Sequence, residues 1–482
     1  MGDLRGQMPA SITSNAPEAS AVPGTKGVPS GPYLHYKHSY GPLTQEVGSR
    51  MPRLPSIAVL LGGLLLCSRL PAADIDPASY GFPLHNPFEA TIATTPPELR
   101  PDLPPDSEID QRDYSLSLHP ARPFALPDSL RQVRDLRYRL ARQAHAAPLI
   151  FIISGTGAHY ASSHTEYLKR LFYGAGFHVV QLSSPTSYDF MAAASRTATP
   201  GLSREDADDL YRVMEAVQAQ QADLPVTAYH LIGYSLGALH AAFVSQLDET
   251  RRRFAFKRVL LLNPPVNPYD SIRNLDRLVQ TDVPGITGNL TFYELILGKL
   301  TRYFQQRGHI DLNEALLYDL QQSKERLTDE EMAMLIGSVF RFAAADIAYT
   351  SDLINRRGLI TPPDYPVEED TPLAPFFIRA LQCNFGCYLN EQLIPQWRRR
   401  HNGGSLSQLV GQIGLQALRE YLAGSRKIAA MHNADDLILG PGDLAFLRRT
   451  LGERLTLYPF GGHCGNLNYR VNSQAMLEFF RG

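Results

Sequence analysis

Six short apolar runs punctuate the second half of this chain and the stretch before it, at residues 149–153 (LIFII), 177–182, 226–232, 259–262, 427–431 and 455–458. Each is bounded by turn-forming residues and too short for an independent helix, as expected of strands covered on both faces. Residues 114–118 alternate apolar and polar, and 133–140 do so in part, which suits half-buried strands at a sheet edge. Between the runs, helical spacing predicts helices over 165–173, 204–218 with Ser203 as N-cap, 236–247 and 474–480. Strand and helix alternate, so the pattern predicts an α/β fold with a doubly wound, mostly parallel sheet.

The alternation breaks once. About 160 residues separate the sixth core strand from the strand opening at Lys427, against an ordinary connection of roughly 2–6 residues plus a helix, so residues 268–425 read as an inserted helical subdomain. Thr328 and Glu331 form a capping-box pair ahead of MAMLIGSVF. Phe292, Leu295, Ile296, Leu300 and Tyr303 fall at helical spacing, with Tyr293 and Phe304 beside them, and read as core of the insert rather than a cofactor box. The core proper is then 111–482 without the insert.

Upstream, residues 1–50 are rich in Gly, Pro, Ser and Thr without apolar periodicity and read as a disordered leader. Residues 51–73 run MPRLPS, an apolar stretch at 57–66, then CSRLPAA, which is the order of a secretory signal cleaved after Ala72 or Ala73. On that reading translation starts at Met51 and the leader is an over-extended start. The apolar stretch is about ten residues, short of the ~18–20 that span a bilayer. Leu66 is too large for the position before a lipidated cysteine, so a periplasmic or secreted protein is expected rather than one anchored at Cys67. Residues 74–110 are Pro-rich and read as an extended arm.

Composition narrows the classes further. With 482 residues, 44% hydrophobic and 20% charged, the chain is globular. A formal charge of -2 without a dense basic patch argues against nucleic acid as a partner. Cys383 and Cys387, in CNFGC, lack the paired C-x-x-C spacing of a zinc site and are expected to pair in an oxidising compartment. Cys464 reads as a packing residue.

The chemistry concentrates at strand ends. Residues 233–237 read GYSLG between a strand-like and a helix-like run, the context of a nucleophile elbow, with Gly233 and Gly237 omitting the side chains that a tight turn would crowd. Ser235 is the candidate nucleophile. It needs an oxyanion hole, a base and a carboxylate to orient the base, each on a loop after a strand. Ser154-Gly155-Thr156-Gly157 follows LIFII, and the amides of Thr156 and Leu236 are the candidate hole. That loop lacks the third glycine of a dinucleotide fingerprint and the lysine of a P-loop, which removes kinase and nucleotidase chemistry. His463, between glycines in PFGGHCGN, is the candidate base, and Asp435 and Asp436 in HNADDLI compete for the acid.

Together GYSLG, SGTG, NADDLI and GGHCG make the chain resemble the α/β-hydrolase superfamily, from near Tyr114 to the C-terminus without the insert. The resemblance implies that fold, a Ser-His-Asp mechanism through an acyl-enzyme, and a helical lid entering after the sixth core strand. It favours Asp436, which an x-Ile step follows, as the acid, and leaves Asp435 to cap the turn. One departure is Ser154, where many members carry histidine. The expectation is an exported esterase or lipase that requires no cofactor or metal, acts on a small-molecule or lipid acyl ester, and meets a membrane surface through its lid. The alternatives are an acyltransferase or peptidase using the same triad, or a binding protein that keeps the fold without catalysis.

Overall fold

The computed structural model describes residues 73–286, 288–307, 316–368 and 371–482. The expected leader and all but the last residue of the expected signal lie outside the described residues, as does the side chain of Phe304.

Among the described residues nine strands form one sheet: β1 (Ala73–Asp74), β2 (Gln111–Leu116), β3 (Leu136–Ala141), β4 (Ala147–Ile153), β5 (His178–Leu182), β6 (Val226–Tyr234), β7 (Arg258–Leu262), β8 (Ile428–Asn433) and β9 (Leu455–Tyr458). Their order is β1-β9-β8-β7-β6-β4-β5-β3-β2. β2 and β3 pair antiparallel, as do β3 and β5; every other pair is parallel. The doubly wound, mostly parallel sheet expected from the alternation is therefore present.

The apolar runs are continuous because both faces of the sheet are covered. Leu149, Phe151 and Ile153 of β4 enter one core and Ile150 and Ile152 the other; Val259 and Leu261 of β7 likewise face away from Leu260 and Leu262. The first core is closed by α3 (Ser203–Gln220) and α4 (Leu236–Arg251), the second by α2 (Ser163–Gly174) and the final helix Arg470–Arg481. Phe151 is fully buried, so truncation to alanine would cost about 3–5 kcal/mol.

Three local expectations need revision. The strand expected from Val133 starts at Leu136, because a short helix led by Pro127 occupies Asp128–Val133. Ser203 is the first helical residue rather than the N-cap: its hydroxyl donates to Ile413 O at 2.6 Å, and Asp206 reaches back to accept from the Gly201 N–H at 2.7 Å. The stretch read as an extended arm begins with β1 on the sheet edge and folds into short helices, Pro77–Tyr80 and α1 (Pro87–Ala93), each N-capped by an Asp76 or Asn86 side chain. Tyr80, Phe82 and Ala90 bury themselves in the second core, so apolar burial overrides the extended bias of the prolines.

Between β7 and β8 every described element is helical, beginning with α5 (Pro268–Leu278), α6 (Asn289–Arg307) and α7 (Asp329–Asn355). Both hydrogen bonds of the Thr328–Glu331 capping box open α7. Phe292 and Tyr303 of α6 are buried in small satellite cores against Met334 and Met332 of α7. A larger core joins α5, α7 and the segments after them to Met191 and Leu202 beside the sheet.

Candidate active site

The turn from β6 into α4 is as tight as the pentapeptide demands. A Cβ on Gly233 would sit 2.1 Å from Gly237 O, and one on Gly237 would sit 2.2 Å from Ile153 O, so only glycine fits at either position. Ser235 between them adopts φ 53° and ψ -128°, a conformation that costs a non-glycine residue about 1–3 kcal/mol. Its N–H donates to Leu262 O at 2.9 Å, which ties the elbow to β7.

Two loops from later strand ends converge on that serine. His463 Nε2 lies 2.8 Å from Ser235 Oγ, and its Nδ1 lies 3.0 Å from each oxygen of Asp436. The tautomer follows from these partners: Nδ1–H donates to the carboxylate, leaving Nε2 to accept from the hydroxyl. Asp436 is buried and further bonded: Ile438 N–H donates to Oδ1 at 3.1 Å and Asn263 Nδ2 to Oδ2 at 2.9 Å. Burial drives its carboxyl upward, but the facing His463, that hydrogen bond and nearby His432 outweigh it and hold the group below the ordinary carboxylate value.

The two competing aspartates separate clearly in space. Asp435 faces away from the imidazole and accepts the N–H groups of Gly461 and Gly462 at 3.2 and 3.0 Å, so it braces the histidine's loop rather than its own turn. Burial, opposed by those two amides, pushes its pKa up to about 6.

Thr156 and Leu236 line one cavity with Ser235 and His463. The Gly157 N–H is occupied by Thr186 Oγ1 at 2.8 Å and is not free for a substrate oxygen. Ser154, the departure from the family pattern, is buried and donates to Leu182 O at 2.8 Å, so its hydroxyl serves the sheet and not the cavity. The Cys464 thiol is buried among apolar side chains and raised well above its usual value, which keeps it protonated and inert. Cys383 and Cys387 form a disulfide. None of Phe292, Tyr293, Leu295, Ile296, Leu300 and Tyr303 lines the cavity. They are used up in packing α6 onto α7.

Sequence reasoning missed two supporting residues. Asn263 directly follows β7, a strand-end position that the same logic could have flagged. Thr91 of α1 accepts the His463 N–H at 2.9 Å, and no periodicity in the Pro-rich arm announces it. Among the described residues, no group of three or more His, Cys, Asp or Glu is arranged to hold a metal ion. A serine hydroxyl bonded to an imidazole that a buried carboxylate orients is the arrangement nucleophilic catalysis requires.

No protein-family model matches the chain, and no curated protein matches it. Among solved structures it is similar to a thioesterase domain from the curacin biosynthetic pathway (13% identity, 77% of this chain and 99% of that one, TM-score 0.35). It is also similar to a membrane phospholipase A described as a bacterial virulence factor (14%, 77% and 86%, 0.37) and to the Pyrococcus furiosus esterase Pf2001 (8%, 80% and 98%, 0.37). Likenesses this distant say nothing about substrate.

Proposed function

We propose that this chain, whose sheet and elbow have the α/β-hydrolase arrangement, is a serine hydrolase that cleaves acyl esters through Ser235, His463 and Asp436. The observation that carries this reading is the 2.8 Å approach of His463 Nε2 to Ser235 Oγ, with Nδ1 backed by Asp436. His463 takes the hydroxyl proton as Ser235 Oγ attacks the acyl carbonyl, and the carbonyl oxygen becomes an oxyanion facing the amides of Thr156 and Leu236. Each such donor contributes about 10²–10³ in rate. His463 then protonates the departing alkoxide, leaving an ester on Ser235 that water, activated by the same imidazole, hydrolyses. Asp436, held ionised, stabilises the imidazolium that forms in both half-reactions.

The reading extends to location. A disulfide between Cys383 and Cys387 supports an oxidising compartment, in keeping with export by the signal-like segment at 51–73. An ester substrate is favoured over a peptide by the apolar character of the cavity beside the serine.

The test is covalent. A fluorophosphonate probe should label the wild-type protein, and Ser235→Ala should abolish both labelling and turnover of a p-nitrophenyl ester. Folded wild-type protein that takes no label would sink the assignment.

A further inference from the structure

The cavity that reaches Ser235 is walled by side chains from both the sheet core and the helical insert. Its volume is about 100 Å³, and part of it is open to solvent. Leu236 and Phe340 wall it near the serine and histidine; the Phe340 ring centroid is 6.4 Å from that of His463. Ile272 and Leu275 of α5, Ile347 of α7, Phe385 and Leu389 belong to the same apolar wall. Leu389 opens a π-helical turn, Leu389–Leu393, a local irregularity that turns up often at functional sites.

Polarity decides what such a wall will accept. No Asp, Glu, Lys or Arg is among its lining residues. Three of its hydroxyls are already engaged by backbone: Tyr388 donates to Pro200 O at 2.7 Å, Ser271 donates to Asn267 O at 3.2 Å, and Thr186 accepts from Gly157 N–H. A charged group pushed into this space would lose its hydration without a partner, whereas methylenes would leave water for an apolar surface.

We infer that this cavity is the acyl site, and that it takes an uncharged, apolar acyl chain several carbons long, with the scissile carbonyl at Ser235. The inference rests on the serine-hydrolase reading and adds the substrate class to it. Each methylene that the wall buries in the transition state should raise kcat/KM by about fourfold until the site is filled.

The experiment compares p-nitrophenyl acetate, butyrate, octanoate and palmitate with the monosuccinate ester, which ends in a carboxylate, in wild-type protein and Leu389→Trp. The octanoate should exceed the acetate in kcat/KM by at least tenfold. The succinate should fall at least tenfold below the butyrate. Leu389→Trp should cut the octanoate-to-acetate ratio at least tenfold by filling the wall; where that variant does not fold, the wild-type series decides. Labelled, active protein that prefers acetate, or accepts succinate as well as butyrate, overturns the acyl site while leaving the hydrolase intact. Protein that neither labels nor turns over any ester overturns both.

Discussion

The backbone N–H of His463 donates to Thr91 Oγ1 at 2.9 Å, so the imidazole facing Ser235 is held from behind by a residue 372 positions earlier in the chain. Thr91 spends its own hydrogen on Pro87 O at 2.6 Å, which leaves an oxygen lone pair for the loop. The loop is fastened a second time two residues on, where Thr95 Oγ1, just past the helix, donates to Gly465 O at 3.0 Å. A Cβ on Gly465 would meet Ala90 O at 1.9 Å, so the loop and the helix are in direct contact.

Thr91→Val keeps the shape of the side chain and removes the acceptor. It should cost about 1–3 kcal/mol in urea denaturation by leaving a buried N–H unpaired. Because the loop carries the imidazole, kcat should fall while KM for an ester stays near its wild-type value. Thr91→Ser should restore both. A valine variant with wild-type kcat would mean that the arm supports the fold but does not position the histidine.

The geometry of the two aspartates predicts unequal damage. Asp436→Asn removes the charge that orients His463 and should lower kcat by about 10⁴. Asp435→Asn keeps one acceptor for the Gly461 and Gly462 amides and touches the imidazole only through the loop, so its loss should be far smaller. Steady-state kinetics on one ester decides the matter, and equal losses would refute the assignment of Asp436 as the orienting acid.

These residues mark what could be read from sequence and what could not. Ser235, Asp436 and His463 lie on loops directly after buried strands, where local apolar patterning locates the strand end and the turn residues locate the loop. The sheet was legible for the same reason: β4 to β9 bury both faces and so read as unbroken apolar runs. Thr91 was not legible, because its partner is a backbone amide brought near by tertiary folding and the arm's prolines mask its short helices. The cavity wall was not legible for a related reason. Helical spacing reveals that Phe292 and Tyr303 are buried, but not whether they face another helix or a substrate.

Asp435 also predicts a pH dependence of stability. Its folded pKa of about 6 lies above the ordinary 3.8, so between those values the folded protein binds the extra proton. Stability from this group is full below 3.8 and is lost as pH rises to about 6. Asp436, held below 3.8, acts in the opposite sense: its contribution is present above 3.8 and is lost as pH falls through its lower folded value. Urea denaturation of wild-type protein and Asp435→Asn across pH 3.5–7 should therefore give a stability difference that declines for the wild type between pH 4 and 6 and is flat above. A difference independent of pH would show that burial does not raise this carboxyl.

The disulfide between Cys383 and Cys387 encloses Phe385, whose ring lines the acyl cavity. The loop is held by other means too: Asp276 of α5 accepts the N–H groups of Phe385 and Gly386 at 3.3 and 3.0 Å, and Asn384 Oδ1 accepts from Cys387 N–H at 2.8 Å. Closing so short a loop restricts the unfolded chain by about 2 kcal/mol in the entropic account. Removing both cysteines as Cys383→Ser/Cys387→Ser should therefore lower the melting temperature, yet leave Phe385 in the wall, so that the octanoate-to-acetate ratio changes less than it does in Leu389→Trp. Reductant should destabilise the wild type by a similar amount and leave the double variant unmoved. If reductant destabilises the double variant equally, the effect does not come from this disulfide, and the bridge no longer supports an oxidising compartment.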